Sequence, residues 1–115
     1  MIEIKLALDG AGLLRGCDIQ GHGGANGGGA DVVCAAVSVL IRTALRVLTG
    51  RPGITIRGEA PERGSLWMEA EYTPEGRDFL SATGFFLTEG LKSVAADYPG
   101  HCKMTIYTNS MERRN

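Results

Sequence analysis

The alternation of apolar and polar residues in the first strand limits the possible folds more than any other feature. Residues 2–8 alternate strictly, and one face of this strand carries Ile2, Ile4, Leu6 and Leu8. The same period of two returns at 66–72 and 102–108. A strand with this pattern buries one face only, which is typical of an antiparallel sheet covered on one side. We therefore expect one sheet beneath a single layer of helices.

Two segments with helical spacing supply that layer. The first helix is predicted over 31–48 with Asp31 as its N-cap, and the second over 74–97 with Thr73 as its N-cap. The first is apolar nearly all round, so we expect it to be largely buried, under the sheet or at a subunit contact. The positions at helical spacing along the second are Phe79, Thr83, Phe86, Leu87, Leu91, Val94 and Tyr98.

Adding strands at 13–20 and 54–57 gives the order β-β-α-β-β-α-β. This order predicts an α+β two-layer sandwich, a small and mainly antiparallel sheet with two helices on one face. The 115 residues are enough for one domain. We place that domain at 1–108, followed by a polar C-terminal tail at 109–115.

Composition and charge exclude several classes of function. A net charge of −1 argues against direct nucleic-acid binding. The N-terminus lacks the apolar core of a signal peptide, and polar residues interrupt the apolar stretch 32–48, so no membrane partner is expected. Three cysteines, an odd number, favour a reduced cytoplasmic protein over a disulfide framework.

Cys34 is the first candidate for chemistry. It is predicted in the first turn of the first helix, where the helix dipole and free backbone N–H groups favour the thiolate form. His22, one of two histidines, stands twelve residues earlier at the end of a strand. A thiol, an imidazole and a loop joining them are the components of a cysteine nucleophile with its base.

Each of these residues also has a simpler interpretation. A small buried cysteine is the commoner role for Cys34, and the Asp31 carboxylate opposes thiolate formation. His22 is equally compatible with an exposed loop, and His101 is a weaker candidate for the base. Ser38 lies one helical turn after Cys34 on the same face, so the helix carries one polar edge.

The segment 21–29 holds six glycines in nine residues. It lacks the spacing and the lysine of a phosphate loop, and we interpret it as a lid over an extended substrate backbone, with a merely flexible connection as the alternative. The proposed substrate-loop residues are Gly21, Gly23, Gly24, Gly27, Gly28 and Gly29.

The remaining cysteines and two aromatic residues have simpler roles. Cys17 and Cys102 alternate with apolar residues and are predicted to point into the core. Without a paired metal-ligand motif, neither a metal nor another cofactor is expected. Trp67 and Tyr107 fall on the outer sheet face, where they are candidates for contact with a partner or a second subunit.

A family resemblance extends this interpretation. Gly21-His22-Gly23, followed by Asp-Val-Val-Cys-Ala-Ala-Val-Ser-Val-Leu over 31–40, resembles the bacterial ribosomal-processing cysteine proteases called Prp. The resemblance covers essentially the whole chain and implies a catalytic dyad of His22 and Cys34, with Asp31 and Ser38 in supporting positions. It also implies a homodimer whose substrate is the N-terminal extension of a large-subunit ribosomal protein, cut after a Phe-Phe step. The loop here is more glycine-rich than the family pattern.

In the mechanism that follows, Cys34 attacks the peptide carbonyl while His22 accepts the thiol proton. The backbone N–H of Cys34 is expected to help stabilise the oxyanion. Two alternatives stay open: a non-catalytic ribosome-associated binding module, and a thiol-based redox or metal-responsive sensor.

Overall fold

The computed structural model describes residues 1–21, 29–62 and 65–108 of the chain. Its order of elements confirms the predicted α+β sandwich. The elements are β1 (Ile2–Leu8), β2 (Leu14–Gln20), α1 (Gly29–Leu48), β3 (Ile54–Glu62), β4 (Ser65–Tyr72), a 3-10 turn (Pro74–Gly76), α2 (Arg77–Asp97) and β5 (Cys102–Thr108).

The sheet has five strands in the order β3-β4-β2-β1-β5. Every neighbouring pair is antiparallel except β1 and β5, which run parallel with Ile2 opposite Cys102. A mainly antiparallel sheet is therefore confirmed. The parallel pair follows from the connection between β4 and β5, because this connection contains α2 and crosses over the sheet to place β5 beside β1.

The core lies between one face of this sheet and the two helices, because alternation turns the apolar side chains of every strand to the same side. Cys17 and Cys102 both point into this core, as predicted. Burial raises the pKa of the Cys17 thiol to about 12 and also raises the pKa of Cys102. The buried strand residues include Ile2, Ile4, Leu6, Cys17, Ile19, Leu66, Met68, Ala70 and Cys102.

A carboxylate fastens the first hairpin to the rest of the sheet. Asp9 accepts hydrogen bonds of 2.9 Å from the backbone N–H groups of Ala11 and Leu13, and one of 2.6 Å from the Tyr72 hydroxyl. Burial alone raises the pKa of Asp9, but these hydrogen bonds together outweigh it and hold that pKa below its ordinary value of 3.8. Asp9 thus ties the β1–β2 turn to the end of β4.

Replacing Tyr72 with Phe is expected to lower the free energy of unfolding by about 1 kcal/mol near pH 7. Folding lowers the pKa of Asp9, so the contribution of this carboxylate to the free energy of unfolding is present above pH 3.8. That contribution is lost as the pH falls through the pKa of Asp9 in the folded state. The stability difference between Tyr72→Phe and wild type should therefore shrink in acid. Urea unfolding at neutral and acidic pH measures it, with Tyr98→Phe as the control. A difference independent of pH would contradict this role for Asp9.

Several element boundaries differ from the sequence prediction. β3 continues to Glu62 instead of ending at 57, because its pairing with β4 resumes after an irregularity between Glu59 and Glu62. The predicted second helix opens as the 3-10 turn Pro74–Gly76, and α2 proper starts at Arg77. Thr73 does cap that turn by position, but its side chain makes no capping hydrogen bond.

One prediction of burial is wrong, and a second, which allowed burial at a subunit contact, is not tested by the single chain. Phe86, predicted on the buried face of α2, is 74% exposed. The buried stripe of α2 is instead Leu80, Gly84, Leu87 and Leu91. Gly84 packs closely against the Leu14 side chain, so the buried stripe of α2 is centred on Gly84. With the helix in this rotation, Phe86 points outward. On α1 the sheet covers only part of the surface, and Val32, Val39 and Val47 are exposed.

Candidate active site

Cys34 lies in α1, and its side chain is 8% exposed within the main core cluster. Because α1 begins at Gly29, Cys34 is the sixth helical residue and belongs to the second turn. Asp31 accordingly lies inside the first turn and is not the N-cap that the sequence suggested. Both corrections have the same cause: the helix starts at Gly29, three residues before the first helical position that an N-cap at Asp31 predicts.

The earlier helix start changes which amides are free at this end of α1. In a regular α-helix the N–H at position 34 donates to the carbonyl oxygen four residues earlier. The amide of Cys34 is then committed within the helix, contrary to the expected oxyanion role. The N–H groups at 29–31 belong to the first turn, which has no intrahelical partners. They are the remaining backbone candidates for binding an oxyanion.

The side of α1 that carries Cys34 faces the β3 end of the sheet. Cys34, Ser38 and Leu45 are spaced by four and seven residues and therefore share one stripe. Leu45 packs against Gly58 of β3, where an added Cβ would lie 3.1 Å from the leucine Cδ2. The structure thus brings Ser38 to the same side as Cys34, and Ser38 is half-buried there.

The chain leaves β2 toward the candidate base at Gly21. This residue has φ +128°, a conformation that favours glycine, and the Met1 carbonyl and Ile2 Cα crowd the place of a Cβ. Gly21 therefore sets the direction of the chain one residue before His22. This restriction depends on a contact with the N-terminus that no local pattern reveals.

Part of the predicted site lies outside the described residues. This holds for His22 and for the loop residues Gly23, Gly24, Gly27 and Gly28. Gly29 is described as the first residue of α1. The pairing of His22 with Cys34 therefore stays a prediction.

The other titratable candidates do not join Cys34. The backbone of His101 bonds to Ile2 and Tyr98 at the start of β5, at the opposite end of the sheet from β3. Among the described residues, no three His, Cys, Asp or Glu side chains are grouped to hold a metal ion. Within the same ranges, no helix is long and apolar enough to cross a membrane.

The two outer-face aromatic residues do not form one surface. Trp67 on β4 pairs with Asp18, and Tyr107 on β5 pairs with Ala7. Strands β2 and β1 lie between β4 and β5, so the two rings sit on separate parts of the outer face.

Replacing Gly21 with Ala is expected to lower the free energy of unfolding by about 1–3 kcal/mol, since alanine at this φ is strained and its Cβ has no space. Peptide cleavage should fall by more than the loss of folded protein explains, because the next residue is His22, the candidate base. Urea unfolding and peptide cleavage by the remaining folded protein measure the two effects. Gly100→Ala is the matched control, with open space around the position. Equal effects of both substitutions would contradict a special constraint at Gly21.

Comparison with known proteins defines the class of protein. The family model described as cysteine protease Prp matches residues 1–103. The chain therefore belongs to the Prp family, and its reaction class is peptide-bond hydrolysis by a cysteine protease. Comparison with curated protein sequences finds no match.

Solved structures have the same fold. The SMU.848 protein of Streptococcus mutans is 24% identical with a TM-score of 0.75, and the alignment covers 94% of this chain and 95% of that one. The essential ribosomal processing protease Prp of S. aureus, bound to a covalently linked product peptide, is 14% identical with a TM-score of 0.74, covering 92% and 99%. The S. aureus protease with a substrate peptide gives 16% identity, a TM-score of 0.74 and the same coverage.

Proposed function

We propose that this protein cleaves a peptide bond with Cys34 as the nucleophile and His22 as the general base. The observation that carries the proposal is the family match over 1–103, which includes both positions. The geometry adds that Cys34 lies on a rigid helix beginning at the end of the glycine-rich segment. Asp31 in the first turn and Ser38 on the Cys34 side are the supporting residues.

The proposed reaction is acyl transfer in two steps. The Cys34 sulfur attacks the peptide carbonyl carbon while His22 accepts the thiol proton, and the first-turn N–H groups of α1 stabilise the oxyanion. The C–N bond breaks as His22 returns the proton to the leaving amine, which leaves a thioester on Cys34. Water then hydrolyses the thioester, with His22 as the base, and restores the thiol. No cofactor takes part.

The proposed substrate is the N-terminal extension of a large-subunit ribosomal protein, cut after a Phe-Phe step. The S. aureus neighbour is a ribosomal processing protease with a structure holding a substrate peptide, which supports a peptide partner here. A glycine-rich loop suits such a substrate, since glycines allow close approach of an extended backbone. We place the protein in the cytoplasm, where ribosomal proteins are made. We also propose that it is a homodimer.

The test is cleavage of a synthetic peptide with a central Phe-Phe step, with the cut position read by mass spectrometry. Cleavage after the second phenylalanine, resistant to a chelator and absent in His22→Ala, is the expected result. An Ala-Ala peptide of the same length is the matched control and should remain intact. Binding without cleavage would instead indicate the non-catalytic module. A change of electrophoretic mobility dependent on an oxidant, with no cleavage under reducing conditions, would indicate a redox sensor.

A further inference from the structure

Strand β3 lies at one edge of the sheet, and part of its backbone has no partner strand. It pairs with β4 on one side, and within the described part of the chain no strand lies on its other side. Unpaired backbone N–H and C=O groups on such an edge are a template for an added strand. The hydrogen bonds around β3 identify the residues that carry these groups.

The residues of β3 alternate in the side to which they turn their backbone groups. In an antiparallel pair, residues that exchange both hydrogen bonds with the residue opposite alternate with residues that exchange none. The Thr73 N–H donates to the Gly53 carbonyl over 2.9 Å, so Gly53 is of the first kind. Ile54, Ile56 and Gly58 are then of the second kind, because the register with β4 is regular over this stretch. They turn their N–H and C=O groups away from β4.

Two of these three residues offer free backbone N–H groups. The Ile54 N–H donates to the Arg51 carbonyl over 3.1 Å, which agrees with its outward direction, and the turn before β3 therefore covers it. Ile56 and Gly58 donate to no such neighbour among the described residues. The irregularity after Glu59 ends the regular stretch. We call the outward N–H and C=O groups of Ile56 and Gly58 the β3 edge, and their spacing of two residues matches that of an extended peptide.

The β3 edge lies beside the side of α1 that carries the candidate nucleophile. Leu45 shares a stripe of α1 with Cys34 and Ser38, and its Cδ2 would lie 3.1 Å from an added Cβ at Gly58. The short turn 49–53 joins α1 to β3, so the helix and the strand run in opposite directions. Cys34 therefore lies beyond Gly58, toward the end of β3, by about 16 Å along the helix. A peptide on the β3 edge points along this line to the candidate site.

An added strand would also meet apolar side chains at the β3 edge. Leu45 of α1 and Ile56 of β3 are half-buried, and both pack against the core cluster. Because side chains alternate across a sheet, every second residue of the added strand would face α1 beside them. The β3 edge therefore suits an extended segment with apolar residues on the side toward α1.

We propose that the substrate segment after the cleaved bond pairs with the β3 edge as an added antiparallel strand. Antiparallel pairing is the more stable kind per residue, and it directs the peptide from Cys34 toward the start of β3. At about 3.3 Å per residue, roughly the fifth residue after the cleaved bond lies opposite Gly58 and roughly the seventh opposite Ile56. This pairing rests on the proposed function, which supplies a peptide as the substrate and Cys34 as the nucleophile.

Backbone methylation of the peptide tests this pairing without changing the β3 edge. The probe is a fluorescein-labelled synthetic peptide with a Phe-Phe step and eight further residues, and its binding to Cys34→Ala, which cannot consume it, is measured by fluorescence anisotropy. N-methylation at each of residues four to eight after the step should weaken binding with a period of two. The loss should be about tenfold at the residues that pair with Ile56 and Gly58, and below about twofold at those between. Equal effects at all positions would overturn the added strand.

Two isoleucine-to-proline variants form a matched pair at the two edges of the sheet. Ile56→Pro removes an N–H from the β3 edge, which should weaken binding of the full peptide about tenfold and raise KM with little change in kcat. Ile106→Pro is the control on β5. The Ile2 N–H donates to the His101 carbonyl, so Ile106 turns its own N–H away from β1. Ile106→Pro should change binding by less than about twofold, and circular dichroism verifies that both variants are folded.

The added strand and the protease activity fail separately in these measurements. Cleavage by wild type without the period-two pattern would overturn the added strand and leave the protease. The period-two pattern in binding, with no cleavage by wild type, would support the added strand and overturn the protease. Removing the last six residues of the peptide should weaken binding at least about tenfold. If only shortening before the Phe-Phe step weakened binding, the antiparallel direction would be wrong.

Discussion

Cys34→Ala is expected to abolish peptide cleavage, lowering kcat/KM by at least about 10⁴-fold. The substitution removes the sulfur that would form the thioester, and no other described cysteine lies on the same stripe of α1. The change in volume is small, so the folded structure should persist. Cleavage of the Phe-Phe peptide is measured by mass spectrometry, and folding by circular dichroism.

The matched control is Cys102→Ala, because Cys102 is also a buried free thiol but belongs to β5. Cys102→Ala should lower stability modestly and retain cleavage. Alkylation with iodoacetamide gives a second readout. Cys17, with a pKa of about 12, should resist alkylation in the folded protein, while peptide binding should alter the labelling of Cys34. Full activity in Cys34→Ala would refute the nucleophile assignment.

The largest expected loss of stability is for Leu80→Ala. Leu80 is fully buried in the stripe of α2 that faces the sheet. Truncating such a side chain removes transfer free energy and leaves a cavity, which costs about 2–5 kcal/mol. For a domain of this size, that is a large fraction of the total free energy of unfolding. Urea unfolding followed by circular dichroism measures the change.

Ser81→Ala is the control for this prediction, since Ser81 is the next residue and is exposed. Its effect on the free energy of unfolding should stay within about 0.5 kcal/mol. If both variants had the same stability, the assignment of the buried face of α2 would be wrong.

The sequence predicted the strands wherever one face alone is buried. The bounds 2–8 and 102–108 agree with β1 and β5, because both segments alternate apolar and polar residues with the period of a strand. The end of β3 was not predictable in this way. Gly58 and Pro61 read as a strand end, and only pairing with β4 carries the strand on to Glu62.

The candidate site was predictable in composition but not in position. Cys34 and the glycine-rich segment are visible in the sequence, whereas the start of α1 is not, because Asp31 is the stronger local capping signal. Helical spacing predicted that Phe86 is buried, because a sequence pattern contains no information on how closely Gly84 approaches Leu14. The constraint at Gly21 likewise depends on the distant Met1 carbonyl.

The position of β1 between β2 and β5 has a consequence for how the protein is made. One edge of β1 pairs with β2 soon after synthesis, but the other waits for Cys102, which follows Ile2 by 100 positions. Until then the nascent chain carries a central strand with one unpaired edge, and unfinished polypeptides associate through such edges. Closure of the sheet therefore waits for β5, and the slowest folding event should be the arrival of that strand.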